Sequence, residues 1–181
     1  MLFIGTPCQI AALRLLQKKN PDLSDKIPLT IGNFCGGYRD LRETDKIIER
    51  AGFDRRLITK FRYRGEGQPG FMLLEDKKGK QRKLAYPGYA RMTGEIKYLR
   101  CRLCVDATAE LADFSCGDAW IPKYLKSGNA WSIVLARSNK AVTILNELEE
   151  KKLINREVVS IEEIKNSQKG NLTSKKNRQE A

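Results

Sequence analysis

The sequence contains no histidine, and this absence removes several kinds of site at once. Without an imidazole there is no His general base, no His metal ligand and no Ser-His-Asp triad. No apolar run reaches about 18 residues, the length that a membrane-spanning helix needs. The first residues, MLFIGTPCQI, lack the basic segment of a signal peptide, and Gly5 and Pro7 interrupt their apolar run. We therefore expect a cytoplasmic chain without a membrane span.

Cysteine is present, but not in a pattern typical of disulfides or zinc ribbons. The five cysteines are an odd number, which argues against a closed disulfide framework. A cytoplasmic chain also keeps its thiols reduced. Cys101 and Cys104 form the single Cys-x-x-Cys pair, whereas a zinc ribbon usually has two such pairs. The thiols are therefore candidates for metal ligation, but not as a self-contained zinc knuckle.

Positive charge is in surplus, with a formal net charge of +12 over 181 residues. The basic residues are scattered in mixed-charge runs such as EDKKGKQRK, and no nucleic-acid-binding motif is present. The surplus suits an anionic cofactor better than a nucleic acid. With 41% hydrophobic residues, the chain is predicted to be globular.

Apolar runs alternate with helical patterns, which predicts an α/β fold: a mixed sheet with flanking helices and a small β-hairpin insertion. Buried strands are predicted over residues 1–5, 27–33 and 130–137, and a strand followed by a Gly117-Asp118 turn over residues 110–120. Helices are predicted from Pro7 to Asn20 with Thr6 as N-cap, over residues 41–51, and from Ser138 or Asn139 to Lys152.

The remaining segments complete this organisation. Residues 56–86 are predicted to form the β insertion, with a hairpin tip at residues 77–81. A short strand and a short helix are expected after Leu153. We interpret residues 1–171 as a single domain and residues 172–181 as a basic, flexible tail.

Four cysteines are predicted to lie at loop or helix-start positions: Cys8, Cys35, Cys101 and Cys104. Cys8 falls in the first turn of a helix, where the helix dipole favours a thiolate, and Cys35 follows a predicted strand. Four thiolates satisfy either a [4Fe–4S] cluster or a zinc ion, and the spacing alone also leaves open a protein without metal. We interpret Cys116 as a packed thiol and the nearby acidic residues as capping, turn or cofactor-facing groups.

Five segments occur in an order that resembles a known family. GTPCQIAALR, FCGG, RYRGEGQPG, CRLCVD and ELADFSCGDAW are similar to the C-terminal region of the coenzyme F420 hydrogenase/dehydrogenase beta-subunit family, over roughly residues 1–140. The resemblance implies an iron–sulfur flavoprotein oxidoreductase. Such a protein would hold a [4Fe–4S] cluster and FAD, relay electrons to coenzyme F420 or another two-electron acceptor, and work with an electron-donor or electron-acceptor subunit.

The resemblance also implies roles for individual residues, without a protein acid or base. The cluster ligands would be Cys8, Cys35, Cys101 and Cys104, and the flavin or substrate contacts would be Arg62, Arg64, Gly65, Gly67, Pro69, Gly70 and Asp118. The family normally has an upstream flavin-binding segment, so we expect this chain to lack that part. The alternative that the cysteine spacing leaves open is a zinc-stabilised cytoplasmic binding module without redox activity.

Overall fold

The computed structural model describes residues 1–92 and 97–176, which form two compact units. The first unit contains Met1–Gly36, Leu103–Ile121 and the chain from Trp131 onward. The second contains Gly37–Arg102 and Pro122–Ala130, and the predicted β insertion lies wholly within it. Two compact units can belong to one domain, so the interpretation of residues 1–171 as a single domain stays a prediction.

Strands and helices alternate along most of the chain. The strands are β1 (Leu2–Gly5), β2 (Leu29–Asn33), β3 (Ile58–Arg62), β4 (Phe71–Asp76), β5 (Gln81–Ala85), β6 (Phe114–Asp118) and β7 (Ser132–Ala136). The helices are α1 (Pro7–Lys19), α2 (Asp22–Lys26), α3 (Leu41–Arg50), α4 (Leu99–Leu103), α5 (Pro122–Lys126), α6 (Asn139–Glu150), α7 (Ile161–Ser167) and α8 (Lys169–Lys176). Across residues 1–92 and 97–176, no helix combines the length and the apolar character needed to cross a membrane.

The first unit is built on a four-stranded sheet in the order β1-β2-β6-β7. Strands β1, β2 and β6 are parallel, and β7 pairs antiparallel with β6, so the predicted mixed sheet is confirmed. Ile10 of α1 is fully buried against Ala109 and Ala112. A Cβ atom added to Gly32 of β2 would lie 2.1 Å from the Cβ of Ala109, so the sheet packs closely on this loop.

The predicted start of α1 is also confirmed, and its cause is local. Thr6 has extended backbone angles, and its N–H donates to the Gln9 side-chain oxygen at 2.8 Å. Pro7 then occupies the first helical position. A backbone N–H at this position would have no partner within the helix, so its absence in proline costs no hydrogen bond. This capping box holds Cys8 one residue into the helix, directly after β1.

The second unit contains a three-stranded antiparallel sheet in the order β3-β4-β5. Ile47 and Ile48 of α3 are buried with Met72 and Leu74 of β4, which gives this unit its own apolar core. The predicted hairpin is therefore present, and β3, which lies within the strand predicted over residues 56–64, pairs with it. That strand starts at Ile58, later than predicted, because a short 3-10 turn at Arg55–Leu57 precedes it.

The second half of the chain differs from the prediction in three ways. The expected strand after Leu153 is wrong, because residues 154–160 are irregular and Val158 is 93% exposed. Residues 172–176 belong to helix α8 and not to a flexible tail, while residues 177–181 lie outside the described chain. Gly117 and Asp118 do not form the predicted turn, because both pair with β7 and complete strand β6.

Candidate functional site

Cys8, the first of the predicted ligands, is half-buried at the N-terminal end of α1. Its Sγ lies 3.3 Å from the Thr6 hydroxyl oxygen. The backbone N–H groups of a first helical turn point toward negative charge. The capping residues that start the helix therefore also fix the position of this sulfur.

Cys35 and Cys104 lie in the same unit as Cys8 and flank the loop that follows α4. The Cys35 N–H donates to the Ala107 carbonyl at 2.8 Å, just beyond the end of β2. The Asp106 carboxylate accepts the N–H groups of Thr108 at 2.9 Å and Glu110 at 3.0 Å. Asp106 therefore acts as a turn-forming residue, which is one of the three roles that the sequence left open for the acidic residues, and it orders the chain next to Cys104.

A buried lysine beside Cys104 is one feature that sequence reasoning missed. Lys175 of α8 is 1% exposed, and its Nζ donates to the Cys104 Sγ at 3.3 Å and to the Asp106 carbonyl at 2.6 Å. The residue stands in the polar, basic segment LTSKKNRQEA, whose composition predicts a flexible tail. Lys175 is buried because its segment forms helix α8, and the composition of the segment does not predict this helix.

Cys101 belongs to the second unit, within helix α4. Its Sγ accepts the backbone N–H of Tyr38 at 3.4 Å. The Gly37 position adjoins it, since a Cβ added there would lie 3.7 Å from the Cys101 Cβ. The FCGG segment and the Cys-x-x-Cys segment thus meet within this unit at Gly37 and Cys101.

None of the five cysteines forms a disulfide. Among residues 1–92 and 97–176, no group of three or more His, Cys, Asp or Glu residues is arranged to hold a metal ion. The donor chemistry suits a thiolate-ligated centre, and the set of Cys8, Cys35, Cys101 and Cys104 stays a prediction. Burial raises the pKa of Cys116 above its ordinary value, which is consistent with a packed thiol.

The second unit contains a cavity of about 430 Å³, a volume typical of small-molecule sites. Four of the six tyrosines of the chain line it. The lining is Gly37, Tyr38, Arg39, Asp40, Leu41, Glu43, Thr44, Ile47, Tyr63, Arg64, Tyr86, Tyr89 and Ala90. The lining combines aromatic faces with two guanidinium groups and two carboxylates, so it offers stacking surface and charges of both signs to a planar ring.

Arg64 organises the aromatic wall of this cavity. Its guanidinium carbon lies 4.0 Å from the centre of the Tyr86 ring, and its Nη1 donates to the Pro69 carbonyl at 2.7 Å. The Tyr86 and Tyr89 rings are 5.8 Å apart in an edge-to-face arrangement. Burial raises the pKa of the Tyr89 hydroxyl, and the charge of Arg64 partly offsets this effect. Tyr89 therefore faces the cavity as a neutral phenol.

Of the seven residues predicted to contact a cofactor, Arg64 is the one that lines this cavity. Arg62, Gly65 and Glu66 line a separate recess of about 10 Å³, in which Glu66 pairs with Lys83 at 2.6 Å. Gly70 shapes the turn, because its φ is +73° and an added Cβ would lie 2.5 Å from the Gly65 carbonyl. The cofactor contacts predicted for Gly67 and Pro69 stay predictions.

Asp118 lies in the first unit, at the exposed end of β6. Its backbone carbonyl accepts the Gln168 side-chain amide at 2.8 Å. Its predicted place near a cofactor stays a prediction.

The tyrosines that line the cavity are functional candidates that the sequence did not predict. They come from three separate segments, and no characteristic spacing or motif connects these segments. The signals that were available are the aromatic and basic residues of RYRG and the two tyrosines of YPGYA. Their residues Tyr63, Arg64, Tyr86 and Tyr89 all line the cavity.

Two curated relatives cover most of this chain. The coenzyme F420-dependent sulfite reductase of Methanocaldococcus jannaschii is 26% identical over 174 residues, which is 86% of this chain and 25% of that protein. The coenzyme F420 hydrogenase subunit beta of Methanothermobacter thermautotrophicus is 27% identical over 168 residues, which is 90% of this chain and 53% of that protein. The chain thus spans about a quarter and about half of the length of these relatives.

A solved structure of the F420-reducing [NiFe] hydrogenase complex from Methanosarcina barkeri contains a chain of similar fold. The TM-score is 0.65 at 18% sequence identity, and the match covers 99% of this chain and 60% of that chain. The family model for the C terminus of the coenzyme F420 hydrogenase/dehydrogenase beta subunit matches residues 1–162. The chain therefore belongs to the coenzyme F420 hydrogenase/dehydrogenase beta-subunit family, as its C-terminal region.

Proposed function

We propose that this chain is the C-terminal part of an iron–sulfur flavoprotein oxidoreductase. The whole protein would relay electrons between a [4Fe–4S] cluster, FAD and coenzyme F420 or a related two-electron acceptor, together with a partner subunit that donates or accepts electrons. The observation that carries the proposal is the tyrosine-lined cavity with Arg64 in its wall, in a chain that belongs to this family. The names of both relatives support coenzyme F420 as the acceptor.

The cavity supports binding of a ring such as a flavin or a deazaflavin. Tyr86 and Tyr89 offer aromatic surface, and the Arg64 guanidinium can bond an anionic oxygen or a carbonyl of the bound ring system. Edge-to-face packing of the two tyrosines restricts the orientation of a third ring. These residues would therefore bind and orient the ring and exclude water from one side of it.

The cysteines supply the second half of the proposal. Cys8, Cys35, Cys101 and Cys104 would hold the cluster through their sulfurs, and the chain offers no imidazole that could replace one of them. A bound flavin would supply the exchange between a hydride and single electrons, which no amino-acid side chain performs. The N–H of Tyr38 would donate to the Cys101 sulfur and help to keep it in place. The residues of the glycine-rich turn and Asp118 stay proposed contacts.

Anaerobic purification and reconstitution test this function. We expect about four irons and four sulfides per chain, as a [4Fe–4S] cluster requires, and loss of iron when Cys8 or Cys35 is replaced by Ser. The matched control is Cys116→Ser, which should retain the iron. About one zinc per chain, with unfolding by a chelator, would instead establish a zinc-stabilised binding module. A preparation that holds neither metal would contradict both.

A further inference from the structure

Glu43 is a buried carboxylate in the wall of the tyrosine-lined cavity. It stands in the first turn of α3 and is 1% exposed. Ile47, four residues later on the same face of the helix, is buried together with Met72 and Tyr89. Both Glu43 and Ile47 line the cavity. The carboxylate therefore lies where the cavity meets the apolar core, and burial of a charge is costly at such a place.

The ion pair between Glu43 and Lys46 is long and unevenly buried. The Lys46 Nζ lies 3.4 Å from the Glu43 Oε1, whereas a strong charge-assisted hydrogen bond is about 2.8 Å long. The Glu43 side chain is 2% exposed and the Lys46 side chain is 40% exposed. Water therefore screens the ammonium more than the carboxylate, so the negative charge acts more strongly on the cavity than the positive one does.

The other charged residues of the lining determine what Glu43 contributes. They are Arg39, Arg64 and Asp40. Hydrogen bonds from Arg42 hold the pKa of Asp40 at about 2, so this carboxyl is charged at neutral pH. Together with Glu43, the lining contains two positive and two negative side chains. Without Glu43 the same wall would carry a net positive charge and would favour an anionic ring.

We propose that Glu43 sets the charge preference of the cavity: its carboxylate disfavours the anionic flavin ring formed by hydride transfer relative to the neutral oxidised ring. This inference rests on the proposed function, in which the cavity holds such a ring. Hydride transfer forms one bond to hydrogen on the ring, adds two electrons and leaves one negative charge, while the donor loses the same electron pair. A buried carboxylate raises the free energy of that anion, so Glu43 makes the bound ring a stronger hydride donor.

The experiment compares the affinity of the full chain for oxidised and for reduced riboflavin. Anaerobic equilibrium dialysis measures both dissociation constants in mildly alkaline buffer, where the reduced ring stays anionic, with dithionite as the reductant. In Glu43→Gln we expect the ratio of the reduced to the oxidised dissociation constant to fall about tenfold, because one negative charge near the ring is lost. For a two-electron couple, this change corresponds to a rise of about 30 mV in the potential of the bound ring.

Two variants of the same helix provide matched controls. Glu49→Gln removes an exposed carboxylate near the C-terminal end of α3 and should keep the wild-type ratio. Lys46→Met removes the ammonium that partly offsets Glu43, so it should change the ratio in the opposite direction and raise it. The three variants together separate the charge of Glu43 from the overall charge of the chain.

Each outcome bears on the inference. An unchanged ratio in Glu43→Gln, with riboflavin still bound in both states, would overturn it while the proposed function stands. An equal shift in Glu49→Gln would also overturn it, because the effect would then come from overall charge. A wild-type chain that binds riboflavin in neither state would overturn the ring site of the proposed function and this inference together. If Glu43→Gln does not fold, judged by circular dichroism, a ratio in Lys46→Met that does not rise would overturn the role of the carboxylate.

Discussion

Arg14 and Asp113 form an ion pair within the first unit, with the Arg14 Nη2 3.1 Å from the Asp113 Oδ2. The same oxygen accepts the backbone N–H of Thr30 at 2.9 Å and its hydroxyl at 2.8 Å. Arg14 also donates to the Leu111 carbonyl at 3.0 Å. One carboxylate thus joins helix α1, strand β2 and the segment that leads into β6.

Asp113→Asn should destabilise the protein because the ion pair and its charge-assisted hydrogen bonds are partly buried. We expect the free energy of unfolding at pH 7 to fall by about 1–3 kcal/mol. Urea denaturation followed by circular dichroism measures the change. Asp25→Asn, an exposed carboxylate in α2, is the control and should alter the stability little.

The same carboxylate predicts a dependence of stability on pH. Burial alone would raise the pKa of Asp113, but hydrogen bonds from Thr30 and Ser138 and the Arg14 charge outweigh burial and lower it. The contribution of Asp113 to the free energy of unfolding is therefore fully present above about pH 4, the ordinary pKa of an aspartate in an unfolded chain. It is lost as the pH falls through the lowered pKa of the folded state. The stability difference between wild type and Asp113→Asn should shrink over that acid range. A constant difference would contradict the assignment.

The close packing of Gly32 on Ala109 gives a second prediction. Gly32→Ala would place a Cβ 2.1 Å from the Ala109 Cβ, so sheet or loop must shift. We expect a loss of about 1–3 kcal/mol in the free energy of unfolding. Gly170→Ala is the matched control, because no atom beyond its chain neighbours and its own helix backbone lies within 4 Å of the added Cβ, and alanine favours helix α8. That variant should be neutral or slightly more stable.

The aromatic cavity predicts which arginine matters for ring binding. Arg64→Ala should weaken binding of FAD or coenzyme F420 by about tenfold or more, because it removes a charge-assisted contact and the support of Tyr86. Quenching of ligand fluorescence on titration with the chain measures the affinity. Arg56→Ala, in the same unit but paired with Asp54 at the surface, should leave the affinity unchanged. Equal losses in both variants would indicate a non-specific effect of charge.

Cys116 should react slowly with alkylating reagents. Burial raises the pKa of its thiol, so the folded protein contains less of the reactive thiolate at a given pH than an exposed cysteine does. Iodoacetamide labelling followed by peptide mass spectrometry should show slow modification of Cys116 in the folded chain and fast modification in urea. Rapid labelling of the folded protein would contradict the interpretation of this thiol as packed.

The sequence is sufficient to predict features with a local cause. Thr6 and Pro7 specify the start of α1 by capping and by proline geometry, and the apolar runs identify the strands of the mixed sheet. The turn role of Asp106, one of the three roles left open for the acidic residues, also has a local cause, because its side chain bonds N–H groups within four residues.

Features that depend on distant segments cannot be predicted in this way. The cavity brings together four tyrosines from three places in the chain, and no spacing in the sequence connects these places. Arg62 and Arg64 look equivalent in RYRGEGQPG, yet one lines a small recess and the other lines the cavity. In the sequence, Lys175 looks like a solvated lysine, because the polar and basic composition of its segment does not show that helix α8 buries it. Tertiary packing, which periodicity does not encode, decides all three cases.

The lining of the cavity lies wholly between Gly37 and Ala90, in the second unit, whose apolar core includes Met72 and Leu74. Cys8 and Cys35 belong to the first unit. On our proposal, oxidation of these two thiols in air would therefore destroy the metal centre and leave the binding of the ring intact.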